Sequence, residues 1–288
     1  MRSLLTALLL ASSAASAQSW TDIPSWDTVK PTQTKNIVYR TIGGMELHMD
    51  VLQVASDKPT PVVVQLHGGG WIRGDRPGSY KTFRALLAAG MSVVTVDYRV
   101  AKDAVAPGAI EDTRCAMAWV KSNAAKYNFD LDKVVLYGAS AGGHLALMGA
   151  YAPSSFNPPD CTDQPKVAAV LDFYGPTNLV EGLNQHGSAD FTHQWLGEQG
   201  DQKARAKQMS PMTYIRKGLP PTFIVNGDAD HTVDPTQSAQ LKKALDAAGI
   251  PDGQDIVPGG GHGNFSEAES NKAMLLCLKF LAAQGIIQ

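Results

Sequence analysis

A single serine, Ser140, stands among glycines and alanines in the stretch YGASAGGHLA, where the apolar run KVVLY meets a helix-like segment. Residues 138–142, GASAG, fit the G-x-S-x-G pattern of a nucleophile elbow, a sharp strand-to-helix turn that exposes the serine hydroxyl. Small neighbours are a steric requirement in such a turn, because there is no room for side chains beside the hydroxyl. The pattern alone is weak evidence for catalysis, since a serine that caps a helix looks similar.

A glycine-rich stretch, LHGGGW at residues 66–71, follows an earlier apolar run and supports the same chemistry. Attack on an acyl carbonyl places negative charge on its oxygen, and residues without side chains let backbone amides approach that oxygen closely. The predicted donors of this oxyanion hole are the amides of Gly69, Gly70 and Ala141. A phosphate-binding loop would require a lysine after the glycines, which is lacking here. His67, in the same stretch, is interpreted as a residue that braces the loop.

An acid and a base follow the serine along the chain. The order Ser, then Asp, then His is that of the catalytic triad in hydrolases with a nucleophile elbow. His262 lies between glycines after the apolar run QDIVPG, and a neutral imidazole there could take the serine proton and return it. Asp230 is preferred over Asp228 as its partner, because the chain can curl back toward His262 after the strand TFIVNG. Asp234 precedes a proline and is predicted to cap a helix. This acidic group lacks zinc or EF-hand spacing, so neither a metal site nor a dissociable cofactor is predicted.

The elements that must position these residues alternate between strands and helices. A hairpin joined at Gly43-Gly44 is followed by short, wholly apolar runs that alternate with helical patterns. Strands that are apolar along their whole length must be covered on both faces. The predicted fold class is therefore α/β, with a mostly parallel eight-stranded sheet, helices on both faces and an antiparallel entry. Residues 176–221 are the least regular part and are predicted to form a small cap or a loop insertion.

Composition excludes several classes of protein. The chain has 288 residues, a formal net charge of −2 and no lysine- or arginine-rich block, so nucleic acid is not an expected partner. Residues 1–17 combine one arginine, an apolar core and the sequence ASA, which indicates a signal peptide cleaved after Ala17 and a secreted or periplasmic protein; an uncleaved anchor is the alternative. No other segment is long enough to span a membrane. The oligomeric state cannot be read from the sequence.

The positions of the cysteines and of two tryptophans give two further expectations. An oxidising compartment permits one disulfide among Cys115, Cys161 and Cys277. Pairing of Cys115 with Cys161 is favoured, because their helices should lie on one face of the sheet, while three unpaired cysteines remain an equal alternative. Trp71 and Trp195 are candidates for the wall of a substrate pocket, although burial is the commoner reason for a large aromatic side chain.

Six motifs in order, HGGGWIRGD, DYRV, YGASAGGHLAL, YGPTNL, NGDADHTVD and GGGHG, resemble those of known esterases. The resemblance is to α/β-hydrolase esterases of the bifunctional acetylxylan/feruloyl esterase group, related to hormone-sensitive lipase, and runs from about Asn36 to the C-terminus. It implies the α/β-hydrolase fold and a catalytic triad of Ser140, Asp230 and His262. It also implies short acyl substrates, including acetyl and feruloyl groups on plant polysaccharide. The run DYRVAKDA departs from the DYRLAPE of closer relatives of hormone-sensitive lipase.

The predicted organisation is a signal peptide at 1–17, a lead-in at 18–35 and an α/β-hydrolase domain at 36–288. The predicted function is an exported serine carboxylesterase that acts on small-molecule or polysaccharide-linked esters through an acyl-enzyme. An amide or peptide hydrolase of arylformamidase-like or oligopeptidase type remains open, because both substrate types pass through similar intermediates. A non-catalytic binding module that kept the fold is the second alternative.

Overall fold

A computed structural model describes residues 29–79, 83–184 and 189–288. The predicted signal peptide lies outside the described residues. Eight strands form one sheet in the order β1-β2-β4-β3-β5-β6-β7-β8, in which the β1–β2 and β2–β4 pairs are antiparallel and the others are parallel. The predicted mostly parallel sheet with an antiparallel entry is confirmed.

The strands are β1 Thr32–Ile42, β2 Met45–Gln53, β3 Thr60–Leu66, β4 Ser92–Val96, β5 Phe129–Ala139, β6 Val167–Phe173, β7 Thr222–Gly227 and β8 Asp252–Val257. The helices in the described residues are α1 Arg84–Ala88, α2 Gly108–Ser122, α3 Ala124–Tyr127, α4 Ala141–Tyr151, α5 Leu179–Gly182, α6 Ala189–Leu196, α7 Gln202–Gln208, α8 Pro235–Ala248 and α9 Glu267–Ala283. Short 3₁₀ turns occur at Pro77–Ser79, Ser154–Phe156 and Pro211–Tyr214.

Strands β1 and β5 begin before the apolar runs in the sequence that predict them. β1 begins at Thr32, inside the segment predicted as a lead-in, and Thr32 pairs with Gln53 of β2. The first residues of β1 are exposed, so no hydrophobic pattern indicates them, and backbone pairing alone extends the strand. β5 likewise begins at Phe129, where the pairing with Thr60 of β3 starts, ahead of the apolar run KVVLY.

Residues 108–127, GAIEDTRCAMAWVKSNAAKY, have one continuous helical pattern but form two helices, α2 and α3, which are divided at Asn123. The Asn123 side-chain amide donates to the Trp119 carbonyl at 3.0 Å, and the Ser122 hydroxyl donates to the Ala118 carbonyl at 3.0 Å. Polar side chains that bind the carbonyl four residues earlier compete with the helical backbone bonds. This competition explains the division, which hydrophobic periodicity alone does not indicate.

Both faces of the sheet are covered by hydrophobic side chains. One cluster lies under α2, α4 and α8, and the other lies under α1 and α9. The predicted Cys115–Cys161 disulfide is present and links α2 to the segment before β6, while Cys277 is buried in α9 without a disulfide. Within the ranges that the structure describes, no helix is both long enough and apolar enough to cross a membrane.

The irregular segment at 176–221 contains three short helices, α5 to α7. Leu179, Trp195 and Met209 from this segment are buried in the cluster that contains α4. Phe191 of α6 reaches the glycine loop, since a β-carbon built on Gly70 would lie 2.9 Å from the Phe191 ring. The segment is therefore packed on the domain beside the loop that follows β3.

Candidate active site

The turn between β5 and α4 holds Ser140 in an unusual backbone conformation. Ser140 has φ 55° and ψ −122°, a region that residues with a side chain rarely adopt, and its amide donates to the Phe173 carbonyl at 2.8 Å. A β-carbon on Gly138 would lie 2.2 Å from the Gly142 backbone, and one on Gly142 would lie 2.1 Å from the Leu66 carbonyl oxygen. The small residues around Ser140 are thus required by backbone contacts on both sides of the turn.

Three side chains that are far apart in the sequence form one hydrogen-bonded chain. His262 Nε2 lies 2.7 Å from Ser140 Oγ, and His262 Nδ1 lies 2.7 Å from Asp230 Oδ2. Because a carboxylate only accepts hydrogen bonds, Nδ1 carries the proton and Nε2 is free to accept the serine proton. All three residues follow the carboxyl ends of β5, β7 and β8, where ligands bind in open α/β sheets.

The two acids after β7 have different partners. Asp230 is buried, and its Oδ1 accepts from the amides of Thr232 and Val233 at 2.7 and 3.0 Å. Asp228 is exposed, and its Oδ1 accepts from the Gly259 amide at 2.6 Å in the turn after β8. Asp234 caps α8 as expected, with Oδ1 2.9 Å from the Thr236 amide. The fold therefore brings Asp230, and not Asp228, to His262.

The loop after β3 lies against the serine turn. A β-carbon on Gly68 would lie 2.9 Å from the Ala139 carbonyl oxygen and 3.5 Å from Ser140 Cβ, so a side chain here would collide with the turn. Gly69 and Gly70 have φ values of 124° and 61°, and the Gly69 carbonyl accepts from the amides of Ile72 and Arg73 at 3.1 and 3.2 Å. The loop curls on itself beside Ser140 in a conformation that glycine favours.

The roles predicted for Ala141, as an oxyanion-hole donor, and for His67, as a brace of the glycine-rich loop, are consistent with the surroundings of these residues. Ala141 is the first residue of α4, where a helix leaves its backbone amides without partners inside the helix. His67 is buried, stacks on Tyr98 with ring centroids 4.2 Å apart, and has Nδ1 2.8 Å from the Gly68 carbonyl. Burial lowers the pKa of His67, which keeps the ring neutral. His67 therefore braces the loop and does not reach the serine.

A cavity of about 590 Å³ opens above Ser140. Gly68 to Gly70, Tyr174 and His262 line this cavity. The other described lining residues are Gln65, Ile72, Arg73, Gly78, Tyr137, Ala139, Phe191 and Thr232. Ser140 and the glycine-rich loop thus line the same open cavity, which has the size of a small-molecule site.

Trp71 and Trp195 do not line this cavity, so the expectation that they contact substrate is wrong. Both side chains are fully buried and stack on each other with ring centroids 4.7 Å apart. The Trp71 indole donates to His144 Nδ1 at 3.2 Å, and His144 Nε2 donates to the Met209 carbonyl at 2.7 Å. Burial lowers the pKa of His144 to about 4, which is consistent with a neutral ring. The tryptophans attach the segment 176–221 to α4 instead.

Two residues at the end of β6, Tyr174 and Asp172, lie beside the site although the sequence assigned them no role; Tyr174 is the first residue of the YGPTNL motif. Tyr174 has φ 44°, and its ring meets the His262 ring edge-on with centroids 4.8 Å apart. Burial raises the pKa of Tyr174 to about 12, and the charges of Asp230 and Asp172 act in the same direction. Asp172 is buried behind the turn, where Oδ1 accepts from the Gly175 amide at 3.1 Å and Oδ2 has no partner among the described residues. Their position at a strand end, and for Tyr174 its place in the YGPTNL motif, were the available signals.

One group of metal-ligating side chains occurs among the described residues, and it is unrelated to Ser140. Cys115, Asp160 and Cys161 lie within 4.8 Å of one another, but the two sulfurs are joined in the disulfide. A disulfide sulfur is not the thiolate that binds metals. The group therefore lacks the ligand set of a metal site.

Comparison with known proteins relates the chain to esterases. The BD-FAE family profile matches residues 49–245. Esterase LipQ of Mycobacterium tuberculosis is 30% identical over 226 residues, which are 75% of this chain and 53% of LipQ. The chain thus spans about half the length of the curated relative it matches.

Solved structures agree with this assignment. Esterase 2 of Thermogutta terrifontis, phosphorylated by paraoxon, has a TM-score of 0.75 and 26% identity over 92% of this chain and 97% of that chain. The same esterase has been solved with propionate bound. A bifunctional GH43-CE protein of Bacteroides eggerthii has a TM-score of 0.77 and 26% identity over 88% of this chain and 38% of that chain. The chain belongs to the BD-FAE family of α/β-hydrolase esterases.

Proposed function

We propose that this chain hydrolyses carboxylic esters through an acyl-enzyme on Ser140, with His262 as general base and Asp230 as its orienting acid. The observation that carries the proposal is the pair of 2.7 Å contacts that His262 makes with Ser140 and Asp230. Family membership and relatives named as esterases support the same reaction class.

The geometry supports the following sequence. Ser140 Oγ attacks the ester carbonyl carbon while its proton passes to His262 Nε2, and the positive imidazolium is stabilised by Asp230. Amides of Gly69, Gly70 and Ala141 would stabilise the oxyanion. His262 then gives its proton to the leaving alcohol oxygen as the carbon–oxygen bond breaks. Water then gives a proton to His262 Nε2 as its oxygen attacks the acyl carbon. The bond between that carbon and Ser140 Oγ breaks, the acid leaves, and His262 returns the proton to Ser140 Oγ.

The proposed substrates are short-chain acyl esters, including acetyl or feruloyl esters of plant polysaccharide. A cavity of about 590 Å³ accommodates a short acyl group or a single aromatic ring, and Tyr174 and Phe191 provide aromatic walls. Propionate bound to the related Thermogutta esterase, and the similarity to a carbohydrate esterase from gut microbiota, support this substrate class.

Export of the protein is proposed on two grounds. Residues 1–17 have the pattern of a cleaved signal peptide. The Cys115–Cys161 disulfide is typical of oxidising compartments. Expression of the full chain in a bacterial host, followed by N-terminal sequencing of periplasmic material, tests this: a mature protein starting at Gln18 supports export, and an intact Met1 in the cytoplasm contradicts it.

The decisive test of the reaction combines labelling and a substrate panel. Paraoxon should modify the chain once, at Ser140, and Ser140→Ala should be neither labelled nor active. Matched acetyl, butyryl, octanoyl and feruloyl esters, together with an acetyl anilide, then define the class. Faster turnover of the acetyl and feruloyl esters supports the proposal, preference for octanoyl contradicts the short-chain assignment, and preference for the anilide indicates an amide hydrolase. Absence of labelling at Ser140 would indicate a binding module.

A further inference from the structure

A second cavity, of about 620 Å³, lies at the opposite edge of the sheet from Ser140. It is bordered by the first residues of β6, by the chain that enters β7, and by the carboxyl-terminal end of α4. Since Ser140 precedes the amino-terminal end of α4, the 11-residue helix separates the two sites by roughly 16 Å. The cavity is therefore outside the candidate active site.

Arg114 of α2 lines this cavity, and no acidic side chain among the described residues binds it. The residue is 7% exposed, and in this part of the chain its guanidinium donates to three neutral oxygens: Gln164 Oε1 at 3.1 Å and the carbonyls of Met148 and Ala152 at 3.2 and 2.6 Å. Its Nε is buried and has no partner among the described residues. A buried charge is normally paired, because removing it from water is costly.

Other arginines with little solvent exposure are paired with carboxylates. Arg40 and Arg99 both bind the buried carboxylate of Asp112, at 2.8 Å each. Arg76 is likewise bound to the carboxylates of Asp50 and Asp97. Arg114 has no equivalent carboxylate partner within the described residues.

Two further cations line the same cavity. Arg216 donates to the carbonyls of Tyr151 and Tyr214 at 2.6 and 2.9 Å. Lys166 is exposed. Neither Arg216 nor Lys166 makes a salt bridge within the described part of the chain. Burial, and then the charge of Arg216, lowers the pKa of Arg114 to about 10.

The acids and dipoles near the cavity do not balance these cations. Asp132, which is exposed, is the one acidic residue among the described lining residues. The carboxyl-terminal end of α4 contributes only about half a negative charge. The cavity therefore keeps a positive excess that favours an anion.

We propose that this cavity binds a small oxyanion carried on a sugar-sized molecule, either a sugar acid or a sugar phosphate. Guanidinium groups recognise carboxylate and phosphate oxygens alike. A volume of about 620 Å³ is larger than an isolated phosphate needs, and Leu219, Pro220 and Pro221 provide an apolar wall for a ring. This site is additional to the proposed esterase site and does not depend on it.

The disulfide holds part of this site in place. Cys115 follows Arg114 directly, and its partner Cys161 accepts a hydrogen bond from Gln164 Nε2 at 2.9 Å. Gln164 Oε1 in turn accepts from Arg114. Arg114 and Gln164 are thus positioned before any ligand arrives, which lowers the entropic cost of binding.

The test is isothermal titration calorimetry at constant ionic strength with four probes: D-glucuronate, glucose 6-phosphate, inorganic phosphate and neutral D-glucose. Prior labelling of Ser140 with paraoxon blocks the candidate active site. We expect one saturable site per chain for glucuronate, glucose 6-phosphate or both, and at least tenfold weaker binding of glucose. The probe that binds more tightly identifies the acidic group as carboxylate or phosphate. Tighter binding of inorganic phosphate than of either sugar probe would contradict a sugar-sized ligand.

Arg216 and Lys166 are exposed, so variants of these two residues test binding without disturbing the fold. Arg216→Gln and Lys166→Gln should each weaken binding of the acidic probe at least threefold, and the double variant at least tenfold. Lys217→Gln, an adjacent exposed cation that does not line the cavity, is the matched control and should bind as the wild type does. Binding of the acidic probes no tighter than glucose, or unchanged binding in the double variant, would overturn the proposal.

Discussion

His262 Nδ1 lies 2.7 Å from Asp230 Oδ2, while the other oxygen of Asp230 is held by the amides of Thr232 and Val233. The carboxylate is therefore fixed before it meets the imidazole, and it determines which ring nitrogen carries the proton. Asp228, two residues earlier, is bound instead to the Gly259 amide.

This difference predicts unequal effects of two matched substitutions. Asp230→Asn should lower kcat by about 10⁴-fold, because an amide that donates to Nδ1 leaves Nε2 protonated and unable to accept from Ser140. Asp228→Asn keeps an oxygen for the Gly259 amide and should change kcat by less than about threefold. Steady-state kinetics with an acetyl ester measures both. Equal losses in the two variants would contradict the assignment of Asp230.

The turn at Ser140 predicts that Gly142 cannot be replaced. In Gly142→Ala the new β-carbon would lie 2.1 Å from the Leu66 carbonyl oxygen, so the turn or β3 must move. We expect a loss of more than about 4 kcal/mol in the free energy of unfolding, or insoluble protein. Gly149→Ala in the same helix meets only side-chain atoms, the nearest being Leu136 Cδ1 at 2.8 Å, and is the control. Urea unfolding should show a clearly smaller loss for Gly149→Ala.

Asp172 predicts a pH dependence of stability. Burial raises its pKa to about 8, while an unfolded aspartate has a pKa of about 3.9. Between these values the unfolded chain loses a proton that the folded chain keeps, so the free energy of unfolding should fall as pH rises from about 4 to 8, by at most ~1.4 kcal/mol per pH unit. Above pH 8 this contribution is constant.

The test of this dependence is a difference measurement. Asp172→Asn removes the titrating group, so its stability relative to the wild type should increase from pH 5 to pH 8 in urea unfolding experiments. Other titrating groups act in both proteins and cancel. Asp57→Asn, at an exposed position, should show no such trend. A constant difference between Asp172→Asn and the wild type across this range would show that Asp172 does not titrate abnormally.

The disulfide predicts sensitivity to reduction. Cys115 and Cys161 are 46 residues apart, and closing a loop of that length in the unfolded chain is worth about 4 kcal/mol by the chain-entropy relation. Cys115→Ala/Cys161→Ala should lose stability of this order, and dithiothreitol should destabilise the wild type but not this variant. Cys277→Ala, which removes the buried unpaired thiol, should retain the response to dithiothreitol. An unchanged urea midpoint of the wild type on reduction would contradict a structural role for the bond.

The position of Phe191 predicts a change in specificity. Its ring lines the cavity and lies against Gly70, so Phe191→Ala should enlarge the acyl space. We expect kcat/KM for octanoyl esters to rise relative to acetyl esters by about tenfold or more, since each buried methylene contributes about 0.8 kcal/mol. Asp190→Ala, the exposed neighbour, is the control. An unchanged acyl-chain profile would show that Phe191 does not limit chain length.

Much of the fold and of the candidate site follows from local sequence patterns. Apolar runs predict the strands, helical spacing predicts the helices, and the elbow motif requires small residues because its backbone contacts leave no space for side chains. The order of Ser140, Asp230 and His262 along the chain is also available to the sequence, since each follows a strand whose end must lie at one edge of a parallel sheet.

Contacts between segments that are distant in the sequence were decided by the tertiary structure alone. Trp71 and Trp195 are buried against each other and His144, because the segment 176–221 folds onto α4, and no local pattern distinguishes that from a pocket wall. That no carboxylate of the described residues binds Arg114 is likewise visible only when α2, α4 and the start of β6 are assembled. Sequence periodicity specifies which face of an element is buried, whereas the partner on that face depends on how the whole chain packs.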